Sequence, residues 1–166
     1  MVKPIPTVLR PLFPADDVDY AAAFAILSDV HSRMQRDGVS AELLLRRGHA
    51  RYALGNFLAA AFDAERVARA EPAVLDARYL TGQACLAMAA VKFGVVRPGV
   101  GVYLPPEGLP SRRHLLDVAA GAFETVLRSN PDDAQARRSL KTALAWKELL
   151  EAHGQGSEGR AGAMAS

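Results

Sequence analysis

Cysteine is nearly absent: Cys85 is the only one in 166 residues. That excludes an internal disulfide and fits a reducing compartment. In LTGQACLAM no histidine or carboxylate stands nearby in sequence to activate the thiol, so Cys85 reads as structural. Charge of one sign is scarce too. Twenty Lys and Arg stand against 18 Asp and Glu, a net +2. No Lys/Arg block dominates any stretch, which argues against a nucleic-acid partner. Long apolar runs are missing. The most apolar window, 79–96, carries Gln83 and Lys92 and is too short to span a bilayer. The opening MVKPIPTVLRPLFPADD sets prolines where a signal peptide needs an unbroken apolar core. The expectation is a soluble cytoplasmic protein without a transmembrane segment.

Catalytic and ligand motifs are also lacking. His31, His49, His114 and His153 show no metal-ligand spacing. The G-x-G in PGVGVYLPPEG lacks a third glycine, a preceding strand and a phosphate-binding lysine, so it is no nucleotide loop. Arg112-Arg113-His114 is basic but opens a helix, where cations oppose the dipole; it reads as solvated or as a contact for an acidic partner. No catalytic residue, metal or cofactor is expected, and the chain is read as not an enzyme.

What is present is an apolar half of the composition and a mean hydropathy of +0.03, enough for one globular domain with a real core. Residues 1–15, with four prolines, read as an extended arm. Asp16 and Asp17 offer a cap for a helix from Val18 to Gln35, apolar on two faces and stopped by Asp37-Gly38. Ser40 caps a helix over 41–54, and Gly55-Asn56 is a turn before a helix over 57–70. A fourth helix covers 74–92. Ser111 caps a fifth over 112–129, and Asn130-Pro131-Asp132-Asp133 turns into a sixth over 134–152. Residues 153–166 read as a disordered tail. No strand signal is evident, though a short hairpin within VVRPGVGVYL stays open.

Between the fourth and fifth helices lies FGVVRPGVGVYLPPEGLP, with four prolines and four glycines among several valines. It is a loop, yet too apolar for an ordinary linker, so its own groove and a partner are both open as places for it to bury.

Gly48 and Gly82 stand 34 residues apart, which prompts a search for repeats. GHARYALGNFLAAAFDAERVARAEP resembles a tetratricopeptide repeat. Gly48 matches the small residue where the paired helices approach, Gly55 the turn glycine, Phe57 the aromatic opening the second helix, Ala60 its small contact and Pro72 the closing proline. The next unit begins with Ala77, Tyr79 and Gly82, but its closing proline is Pro131, 59 residues after Pro72 instead of 34. The difference, 25 residues, measures an insertion between its two helices that contains the apolar loop. The resemblance covers roughly 40–150 and departs at Arg47, Arg51 and Arg78, where the family has apolar or aromatic residues.

The resemblance implies an all-α fold: a short right-handed solenoid of antiparallel helix pairs, about six helices over 16–152. It further implies a concave groove that holds a protein partner. The groove positions carried over are Glu42, Leu45, His49 and Tyr52, then Asp76, Tyr79, Gln83 and Leu86, with Gln135, Arg138, Thr142 and Trp146 in the last helix. These do not reproduce the family's carboxylate-gripping set. Tyr103 and Leu104 of the loop are the further partner-binding candidates. From the residues themselves, Tyr52 and Tyr79 read equally as packing groups, and His49 as a helix-surface residue. The expected function is a non-catalytic adaptor or scaffold, the alternative an accessory subunit embedded in a larger assembly.

Overall fold

The computed structural model describes residues 19–92 and 110–162. Among them are six α-helices and no strand: α1 (Tyr20–Asp37), α2 (Ala41–Ala53), α3 (Phe57–Ala70), α4 (Leu75–Lys92), α5 (Arg112–Ser129) and α6 (Ala134–Gly162). Side-chain caps set most of the starts. Ser40 Oγ accepts from the Leu43 N–H at 3.2 Å, Asn56 Oδ1 from Ala59 at 3.3 Å and Ser111 Oγ from His114 at 3.2 Å. Asp133 Oδ1 accepts from Gln135 and Ala136, at 3.1 and 2.9 Å. Each satisfies N–H groups that the first turn leaves without a helical partner. Gly38 and Gly55 end α1 and α2 with φ of +84° and +79°, a region that disfavours any Cβ.

Two boundaries differ from expectation. The cap of α1 is Asp19, whose Oδ1 accepts from Ala22 at 2.9 Å, so the helix opens at Tyr20 instead of Val18. Three aspartates occupy the approach, and Asp19 is the one whose carboxylate meets the N–H three residues ahead. At the other end α6 continues in helical backbone to Gly162, ten residues past the expected stop and into the stretch read as a disordered tail. No proline lies between Ala134 and Gly162, and each glycine weakens a helix by about 1 kcal/mol without breaking it. The arm 1–15 and the apolar loop, apart from Pro110, lie outside the described residues.

Each helix packs against its neighbour in the chain, and α4 also touches α2 and α6. α4 is apolar or small nearly all round. Ala77, Leu80, Ala84, Leu86, Ala87, Met88, Ala89 and Ala90 are all buried, as a helix flanked on several sides requires. Two glycines permit the closest approaches. A Cβ on Gly48 would meet Leu80 Cδ2 at 3.0 Å and Asp63 Cβ at 3.4 Å; one on Gly82 would meet the Phe123 ring at 2.8 Å. Real Cβ atoms are essentially never found as close as the second of these.

Candidate interaction surface

Of the residues expected to line an open groove, six are buried, whereas Glu42 and Arg138 are exposed and Asp76, Gln135, Thr142 and Trp146 are half-buried. Leu45, His49 and Tyr52 of α2 and Tyr79, Gln83 and Leu86 of α4 each expose 6% or less of their surface. The tyrosines pack on the aromatic residues of the following helices. Tyr52 lies 5.1 Å from Phe57, and Tyr79 meets Phe123 edge-on at 5.8 Å. Burial, with the nearby Tyr79 phenol second, pushes the Tyr52 hydroxyl well above its usual pKa. Gln83 Nε2 donates to Tyr79 Oη and to Ser139 Oγ, both at 2.8 Å, and so ties α4 to α6. These residues form the interior of the helix array and offer no open surface. For these six the packing reading holds: side chains with a large apolar body and one polar tip suit either a groove or a core. Tyr103 and Leu104 lie outside the described residues.

The structure also places the three arginines, Arg47, Arg51 and Arg78, at which the resemblance departs. Asp63 of α3 is buried at 4% exposure, and its carboxylate takes Arg47 Nε at 2.9 Å, Arg47 Nη2 at 2.7 Å and Arg51 Nη1 at 2.8 Å. Arg47 and Arg51 lie four apart on α2, one turn, so both reach the same acceptor. The side-chain hydrogen bond to Asp63 raises the Arg47 pKa, against the desolvation that opposes it. Arg78 reaches the Ala68 carbonyl near the end of α3 at 3.4 Å. The cluster had a sequence signal, two arginines at helical spacing opposite a lone aspartate on an otherwise apolar helix face, but only if the α2–α3 pairing is known.

Exposed apolar side chains lie elsewhere. Phe24 and Tyr20 stand out on α1, and Phe62 on α3 is 64% exposed. Phe62 rims a half-open pocket of about 240 Å³ between α3, α4 and α5, floored by Cys85 and Met88. Burial, and secondly the field of Glu65, pushes the Cys85 thiol up to about 12. Because the folded value exceeds the ordinary 9.0, the stability tied to this group is present below pH 9 and fades as pH climbs toward 12. The matching expectation is kinetic. At pH 8, iodoacetamide should label Cys85 at least ~100-fold more slowly in the folded chain than in urea, since only the thiolate reacts. Equal rates would show that the thiol is not held in this state.

No family model, no curated protein and no solved structure matches the chain. No helix among the described residues is long and apolar enough to cross a membrane. No group of three or more His, Cys, Asp or Glu among them is placed to hold a metal ion.

Proposed function

We propose that the chain is a non-catalytic protein–protein interaction module, an adaptor or scaffold with a short right-handed tetratricopeptide-like array of antiparallel helix pairs. The observation that carries this is a repeated crossing. Gly48 of α2 approaches Ala60 and Asp63 of α3, with Leu80 of α4 nearer still, and Gly82 of α4 approaches Phe123 of α5. The two glycines are 34 residues apart, and the partner helix of the second lies beyond the insertion, where the repeat requires it. The contacts of α5 with α6 run in opposite chain senses: Arg113 meets Glu151 at 3.2 Å while Asp117 meets Lys147 further back along α6. A cytoplasmic setting belongs to the same proposal and rests on the single, buried Cys85.

With six of the expected groove residues buried, the partner surface in this reading is drawn from the exposed aromatic residues, Phe62 on α3 and Tyr20 and Phe24 on α1. A tagged chain at native level should bring down a stoichiometric partner from its own cells. Phe62→Asp with Phe24→Asp should lower that recovery at least ~10-fold while the melting temperature holds, as loss of a hot spot does. A chain recovered alone removes the proposal. The second reading is a permanent subunit of a larger assembly, and the same exposed phenylalanines favour it. Sedimentation of the isolated chain separates the two. An adaptor is monodisperse alone, whereas an orphan subunit self-associates through its uncovered apolar surface.

A further inference from the structure

We propose that the pocket between α3, α4 and α5 binds an arylalkylamine, with its aromatic ring on Cys85 and Met88 and its ammonium group at Glu65. Two sulfur-bearing residues, Cys85 and Met88, are in the lining, with Phe62 and Leu115 beside them. Sulfur and ring edges are favourable company for an aromatic face. The volume, about 240 Å³, exceeds the ~150 Å³ that takes a single benzene, so a bicyclic ring fits. Histidine apart, Glu65 is the one formally charged side chain in the lining, and its field extends to the Cys85 thiol at the floor. An ammonium two or three bonds from the ring answers that charge. Arg69 already reaches Glu65 Oε2 at 2.9 Å, but its side chain is 79% exposed, and exposed pairs of this kind contribute little and yield readily to a competitor. His114 completes the polar part of the rim.

The test uses the full chain labelled with ¹³C at its methionine methyl groups, titrated with tryptamine, indole and indole-3-acetate. These share a ring and differ in charge. The Met88 methyl resonance should move saturably with tryptamine while that of Met34, in α1, stays in place. Tryptamine should bind about three-fold more tightly than indole, the scale of one exposed ion pair, and indole-3-acetate more weakly than either. Glu65→Gln should erase the tryptamine advantage and leave indole binding unchanged. Leu58→Trp, which fills the pocket from its half-buried wall, should abolish binding of all three. The proposal is overturned if millimolar tryptamine leaves Met88 unmoved, if tryptamine binds no better than indole, or if its advantage survives Glu65→Gln. The wild-type and Glu65→Gln titrations decide the matter even if Leu58→Trp does not fold.

Discussion

Replacing Asp63 with alanine should lower the unfolding free energy by about 2–4 kcal/mol, read from urea denaturation. The substitution strips the shared acceptor from Arg47 and Arg51 and leaves two cations facing each other one helical turn apart. Losing one partner of a buried ion pair costs about 3–5 kcal/mol; the lower range is expected here because the arginine side chains keep 26% and 29% of their surface and swing partly into water. Replacing all three residues together, as Arg47→Met, Arg51→Leu and Asp63→Leu, should cost clearly less than Asp63→Ala. Desolvating the carboxylate and half-desolvating the guanidinium groups offsets most of their mutual attraction, and the triple change removes both terms. If Asp63→Ala proves neutral, the cluster is a surface decoration and not a fixture of the α2–α3 pairing.

The second large effect lies at the α4–α5 crossing. Phe123 is fully buried, its ring edge-on to Tyr79 and against the Gly82 backbone. Phe123→Ala should cost about 3–5 kcal/mol, through lost burial and the cavity left behind. Gly82→Leu should cost about 1–3 kcal/mol for the opposite reason, since its first side-chain carbon already collides with the ring. Combined, the two should cost at least ~1 kcal/mol less than the sum of the single changes, because the new leucine grows into the vacated space. Strictly additive losses would mean that positions 82 and 123 do not face one another and that the assignment of α5 as the partner of α4 is mistaken. The same pair tests the 25-residue insertion, since without it the partner of Gly82 would lie in the apolar loop.

How much of this could be read from the sequence depended on the range of the interaction. Ser40, Ser111 and Asp133 announce their helices because a cap acts over three residues, and all lie within one stretch of chain. The cap of α1 was harder to place because Asp16, Asp17 and Asp19 are chemically alike, and choosing among them needs the first-turn geometry. The end of α6 was misplaced because glycine-rich sequence is only weakly opposed to helix. The groove residues were a different problem. The resemblance puts Tyr52 on the groove side of α2 and Tyr79 and Gln83 on that of α4, but not what covers those faces; Gln83 is covered in part by Ser139, 56 residues away. Asp63 drew no sequence reading, because only when α2 is laid beside α3 do Arg47 and Arg51 make it a buried acceptor. The pocket beside Cys85 has no local sequence signal, because its walls come from three helices.

The central place of α4 bears on how the molecule opens. α1 is held chiefly by α2, so it can fray and re-dock while the rest stays closed. α4 has α3 and α5 along its length and α2 and α6 at further contacts. Its main-chain hydrogen bonds are expected to open late, since α3 and α5 cover it along its length. A linear array of independent pairs would melt from either end in steps. Here the middle helix touches four others, so the expectation is one cooperative transition preceded only by fraying of α1.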